Sequence, residues 1–225
     1  MPGSVNPSLY DGWWVELNVY FNSTDVRYVQ PEDVQIHNMN LIYQYFRAQN
    51  WTRNAIAGML GNMMVESSVN PWRFQHGWLD WNDPVAIIND QGGMGLTQWT
   101  PCNKYYVWAV GEGLDPKSGN SMCDRILYER NNNKQWSLDN ILQYSWDDYV
   151  NSTDSPEILS RVFLYAYERP GQLPTPEQEA DRIAQRAANA RWCFENIGSN
   201  KLINMLNFYR QQNTRKGVKR RWQTI

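Results

Sequence analysis

The sequence predicts a mainly α-helical protein, on three observations. From Pro31 onward apolar residues recur at spacings of three and four, the period of a helix with one face against a core. Helix starts are marked by Thr or Ser, several followed directly by Pro, and helix ends by Gly. Strict alternation of apolar and polar residues, the signature of a strand, is clear only before residue 30. At 225 residues the chain is long enough for one sizeable core, and length alone does not force two domains. The organisation expected is an extended arm over 1–30, a helical body over 31–198, and a C-terminal helix with a basic tail over 199–225.

In the arm, Val15, Leu17, Val19 and Phe21 alternate with Glu16, Asn18 and Tyr20, and the polar run from Asn22 to Asp25 reads as a turn. Trp13 and Trp14 are free to pack on the main body or on another protein. The first helix follows Pro31-Glu32-Asp33 and carries Ile36, Met39, Tyr43 and Phe46 on one stripe. A second starts with Thr52 as N-cap and places Ala55, Ile56, Met59, Leu60 and Met63 together; it must end before Pro71, which pushes Asn70 away from helical angles.

Residues 71–99, rich in Trp, Asp, Asn and Gly, follow neither period. A loop this long carrying Trp72, Trp78, Trp81 and Trp99 reads as a structured active-site loop with room for a short strand pair. Thr100-Pro101 then serves as N-cap and first position of a helix through Tyr105 and Trp108 that stops at Gly111 to Gly113. Ser121 caps a helix with Met122, Ile126 and Leu127. Ser155-Pro156-Glu157 opens one that turns Ile158, Leu159, Val162, Phe163 and Ala166 inward and ends at Glu168 to Gly171. Thr175-Pro176-Glu177-Gln178 is a capping box, followed by Ala180, Ile183, Ala187 and Phe194 before Gly198 closes the helix. Leu202, Ile203, Met205, Leu206 and Tyr209 form a last helix, and Arg215 to Arg221 give the tail its positive charge.

Charge and composition exclude some function classes. A formal net charge of -2 provides no global field for nucleic acid or an anionic membrane, so any charge-driven binding is local. No stretch reaches the ~18 apolar residues of a membrane span, and the N-terminus lacks the cationic start and apolar run of a signal peptide. Three cysteines, Cys102, Cys123 and Cys193, are too few for a disulfide framework and fit thiols made in a reducing cytosol. Twelve Trp and thirteen Tyr suit stacking against sugar faces, although any single ring more often belongs to a core.

The chemistry concentrates between Ala55 and Gln98. Glu66 follows Met63 by one helical step and Met59 by two, which sets it on the apolar stripe. A carboxyl there is expected to have a raised pKa and to hold a proton, as a general acid for a glycosidic oxygen must. Gly92, Gly93 and Gly95 allow close backbone approach, and Gln98 offers both a donor and an acceptor to a sugar. No Gly-Lys-Ser/Thr follows, so the turn is not a phosphate loop.

Glu66-Ser67-Ser68-Val69-Asn70-Pro71, then Gly93-Met94-Gly95-Leu96-Thr97-Gln98-Trp99, then Tyr167-Glu168-Arg169-Pro170-Gly171 after an apolar helix, together resemble the phage tail lysozyme family over roughly residues 35–195. That family is more distantly related to goose-type lysozymes and lytic transglycosylases. The resemblance implies a lysozyme-like, goose-type-like helical domain, cleavage of the bond between N-acetylmuramic acid and N-acetylglucosamine in peptidoglycan, and residence in the virion's tail. It makes Glu66 the proton donor and gives Asp90, just before the glycine turn, a role in positioning water, with Asp80 and Asp83 as competitors. Gly93, Gly95, Gln98, Trp99, Trp72 and Glu168 become the expected substrate-binding set, with Glu168 also placed to hold Arg169 or the loop. Other tail proteins are the expected partners of the arm or the basic tail.

The departures from family pattern narrow the reading. Some members carry a zinc endopeptidase domain, but this chain has only His37 and His76 and no His-x-His pair, so neither metal nor cofactor is expected. A cysteine–histidine amidase would have to pair Cys102 with His76 without a supporting motif. One matched carboxylate leaves hydrolysis and transglycosylation both open, and a glycan-binding structural tail protein or an endolysin remains the alternative.

Overall fold

A computed structural model describes residues 31–138, 143–171 and 173–198. The proposed strand-like arm, its two tryptophans, the last helix and the basic tail lie outside the described residues. Eight helices are formed among those described: α1 (Pro31–Ala48), α2 (Arg53–Glu66), α3 (Pro84–Asn89), α4 (Asn103–Gly111), α5 (Gly119–Asn131), α6 (Trp146–Asn151), α7 (Pro156–Phe163) and α8 (Pro176–Asn196). A π-helical turn, Leu164–Glu168, continues α7 and stops at Arg169, whose φ of 50° is left-handed. The protein is therefore mainly helical and lysozyme-like, as its sequence predicts. Among the described residues no helix is long and apolar enough to cross a membrane.

Helix α2 is the axis of the body, packed against α7 and α8, with α1 and α6 beside it. Two glycines make this possible. A Cβ on Gly58 would lie 2.8 Å from the Leu159 backbone carbonyl carbon, and one on Gly61 would lie 2.7 Å from the Arg186 carbonyl oxygen and the Ala190 Cβ. The helices thus touch backbone to backbone at these points. Asn62 closes the seam by donating to the Ser160 carbonyl (2.9 Å).

Every residue from Ala55 to Met63 is buried, which corrects the expectation of a single apolar stripe. Glu66 is set apart from the rest of α2 by being its last residue, where the helix emerges from the core, and not by its side of the helix.

Three expected caps are in place: Thr52 accepts from Ala55 N–H, Ser155 from Ile158 N–H and Thr175 from Gln178 N–H. Two others moved. Ser118, not Ser121, caps α5, α4 begins at Asn103 and not at Pro101, and Ile158, expected inward, lies on the exposed side of α7. Helix α6 went unseen because it is only six residues long; its signal was the capping box of Ser145 and Asp148. In place of a strand pair the loop makes two isolated bridges, Phe74 with Met94 and Met94 with Trp99, and it includes the short α3, capped by Asp83 with Pro84 at its first turn. All three cysteines are free and buried.

Candidate active site

The end of α2 is shaped by an abrupt change of direction. Ser67 N–H still donates to Met63, but Ser68 and Val69 adopt φ of 57° and 58°, a left-handed pair that a β-branched valine occupies at a cost. The surroundings enforce it: Val69 N–H donates to the Met63 carbonyl (3.2 Å), Asn38 donates to the Val69 carbonyl (3.0 Å), and Val69 is buried. Ser67 Oγ donates to the Leu96 carbonyl (2.9 Å), which fastens the helix end to the glycine turn. The two most informative sequence motifs are joined by this one hydrogen bond.

The Glu66 carboxylate accepts from Arg186 of α8 at 2.7 Å and remains 24% exposed, while the guanidinium is 8% exposed. Glu168, at the end of the π-helical turn, completes the group. Burial pushes its carboxyl well above the usual range; the charges of Glu66 and Glu129 add to the effect, and Arg186 opposes it. Its Oε1 is shielded from solvent and has no hydrogen-bond partner. A raised pKa thus belongs to Glu168, and Glu168 makes no ion pair with Arg169. The cause is the π-helical turn, which directs Glu168 inward and leaves Arg169 exposed.

Glu168 also lines a cavity of about 420 Å³, together with Gln98, Trp99, Lys104, Gln135 and Arg169. This gathers three of the six expected substrate-binding residues. Gly95, at φ of 76°, makes the turn, and a Cβ there would meet Met122 Sδ at 3.0 Å. Gln98 Nε2 is engaged with the Gly95 carbonyl (2.8 Å) and the Arg73 carbonyl (3.2 Å), and its Oε1 lies beside Gly93. Gly93 supports the wall from behind, with N–H donating to Gln75 Oε1 (2.9 Å). Trp72 does not line the cavity; its indole N–H is used on the Lys117 carbonyl (2.8 Å).

Trp99 stands on a buried polar network. Its Nε1 donates to Tyr167 Oη (3.1 Å), Tyr167 Oη donates to Glu129 Oε2 (2.5 Å), and Glu129 Oε1 accepts from Arg125 (2.8 Å). Glu129 is 1% exposed, and its two oxygens are satisfied by Arg125, Tyr167 and, at 3.5 Å, Trp99.

Asp90 is elsewhere engaged. Its Oδ2 meets His76 Nδ1 at 2.8 Å and its Oδ1 accepts from Gly92 N–H at 2.6 Å and more weakly from the Cys102 thiol. The His76 bond, reinforced by Gly92, holds its carboxyl below the usual range in spite of burial. None of these bonds reaches Glu66 or Glu168. Of the competitors, Asp80 caps a turn at Asn82 and Asp83 caps α3. Cys102, pushed up to about 12 by burial and by Asp90, is a neutral thiol; Asp90 stands between it and His76, which opposes activation.

Sequence reasoning missed Arg186 and Glu129, and it quoted Tyr167 within the third motif without giving it a role. Arg186 did carry a signal, since it shares a helical face with Ile183 and Ala190, a charge on an apolar stripe like Glu66 itself.

A helical body whose central helix ends in a partly exposed glutamate, held by a distant arginine beside a polar cavity, defines a lysozyme-like domain. Residues 37–197 match the phage tail lysozyme family, and the chain belongs to that family. It is 40% identical over 141 residues to "Morphogenesis protein 1" of Bacillus phage B103, an alignment covering 63% of this chain and 36% of that protein. The chain therefore spans about a third of the length of this curated relative.

Proposed function

We propose that the chain is a tail-associated peptidoglycan hydrolase that cleaves the MurNAc–GlcNAc bond and opens the host wall locally for the phage tail. The observation that carries this reading is the Glu66–Arg186–Glu168 group at the open end of α2, in a chain of the tail lysozyme family. A general acid must reach the glycosidic oxygen and have a proton to give. Glu66 meets the first need by its exposure. The second is met beside it: burial, with the neighbouring charge of Glu66, keeps a proton on Glu168 well above the usual carboxyl range. Gln98 and the wall of Trp99 orient the sugar. Asp90, on this reading, positions water through the loop it anchors.

A second reading, lytic transglycosylation, gains from one observation. Both Asp90 oxygens are already occupied, and a transglycosylase needs no carboxylate to hold water. The test is release of reducing ends from purified peptidoglycan by wild type and Glu66→Gln, with mass spectrometry of the products. Loss in the variant supports Glu66 as acid, and 1,6-anhydro ends assign transglycosylation. Equal activity removes Glu66 from the mechanism, and no activity in either protein assigns a glycan-binding structural role.

A further inference from the structure

Exposed apolar surface is gathered on one part of the body. Seven large hydrophobic side chains are exposed among the described residues, and five of them, Trp78, Val85, Ile88, Val107 and Val110, fall between residues 78 and 110. Val85 and Ile88 stand one turn apart on α3, Val107 and Val110 one turn apart on α4, and the two helices pack against each other. Asp90 is the point where these pieces meet. It is the C-cap of α3, accepts from the Cys102 thiol at the start of α4, and holds His76, whose ring lies flat against Trp78 (centroids 4.4 Å apart, planes at 12°). The Asp90 bonds therefore fix the shape of the patch while its own side chains face solvent. Single exposed apolar residues are ordinary, whereas a cluster held in place marks a contact surface.

A segment of this same chain supplies matching chemistry. Residues 1–30 lie outside the described residues, and in their sequence Val15, Leu17, Val19 and Phe21 alternate with polar residues, so that one side of the segment is apolar when it is extended. The point where it joins the body is favourable. Asn38, two turns into α1, donates to the Val69 carbonyl (3.0 Å), so the first half of α1 lies beside the end of α2, from which the loop carrying Trp78 departs. The chain from Phe21 to Pro31 spans up to about 33 Å, against a body about 40 Å across. A tethered segment acts at an effective concentration of about millimolar, which a second copy in dilute solution does not reach. Five side chains are also too few for the roughly 800 Å² per partner of a stable dimer.

We propose that the N-terminal arm docks in cis on this patch, laying the apolar side of residues 13–21 along the α3–α4 face and over Trp78. The inference stands apart from the hydrolase reading, since no residue of the patch belongs to the Glu66 group. Lys104 precedes Val107 by one turn and lines the cavity, so an arm lying on this face of α4 reaches the cavity rim.

The test puts a photo-crosslinking amino acid in place of Val107 in the full chain, prepared as an equal mixture of unlabelled and isotope-labelled molecules, and maps the links by mass spectrometry. Links to residues 13–21 within single molecules are the expected result. Leu17→Asp/Phe21→Asp should lower their yield about tenfold and raise the fluorescence of an apolar dye added to the protein, with the helical circular dichroism unchanged as the control for folding. Links between labelled and unlabelled molecules would assign the patch to a second copy, and links only to other segments would assign another occupant; either overturns the proposal. A yield that survives in the double variant, or dye fluorescence as high in the parent chain as in that variant, overturns it too. Peptidoglycan cleavage is not read in any of these measurements, so their failure leaves the hydrolase reading standing.

Discussion

Glu66 and Asp90 are both carboxylates at the edge of the same glycine turn, and the fold treats them oppositely. Glu66 has one partner, Arg186, 120 residues away in sequence, and keeps a quarter of its side chain in solvent. Asp90 is 10% exposed and held within its own loop by His76, Gly92 and Cys102. A carboxylate saturated by local donors is committed to shape, whereas one held at a single point by a distant helix keeps an oxygen for chemistry. The distinction predicts activity effects at one residue and stability effects at the other.

The largest expected difference is kinetic. Glu66→Gln should lower kcat on peptidoglycan about 100- to 10,000-fold, the range for losing a general acid, with little change in Tm. Asp90→Asn should do the reverse. It weakens a charge-assisted contact to His76 and should cost about 1–3 kcal/mol in denaturant unfolding, with activity retained within about tenfold. A collapse of kcat in Asp90→Asn with stability intact would restore Asp90 as a direct participant in catalysis.

The next effect acts on the distance that separates the two cases. Gly61 lets α2 approach α8 at the Arg186 backbone. Gly61→Ala places a Cβ where 2.7 Å is available, and the neighbouring atoms are backbone and a short side chain that cannot swing aside. Overpacking of this kind costs about 1–3 kcal/mol. Displacing α8 should also loosen Arg186 from Glu66, so activity should fall together with stability, which a thermal melt and the reducing-end assay would register on one sample. A gain in stability with full activity would mean that the helix contact is softer than the geometry implies.

The same contrast between local and distant partners explains what could be read in the sequence. Caps at Thr52, Ser155 and Thr175 were legible because each bonds to a backbone N–H three residues on. Glu66 was legible from its motif, but the reason first assigned to it, one apolar stripe, fails because α2 is buried on every side. Arg186 and the inward turn of Glu168 were hidden because they depend on two helix contacts made through glycine and on a π-helical turn that no periodicity announces. Trp72 illustrates the opposite error, since its aromatic character suggested a ligand and its indole N–H serves a loop carbonyl.

The smallest and most diagnostic effect is in pH. Asp90 has a folded-state pKa below its unfolded value, so its contribution to stability is present above the ordinary carboxyl pKa of about 4 and is lost as pH falls through the folded value. Glu168 has a folded-state pKa well above its unfolded value, so it favours the folded state at low pH, and that contribution is lost as pH rises from about 4 toward the folded pKa. The limiting slope for one proton is about 1.4 kcal/mol per pH unit. The difference in unfolding free energy between wild type and Asp90→Asn should therefore grow from pH 3 to pH 5 and then level. The corresponding difference for Glu168→Gln should move in favour of the variant as pH rises above about 4. Parallel profiles for the two variants, measured by urea unfolding across that range, would mean that the two carboxyls share one environment after all.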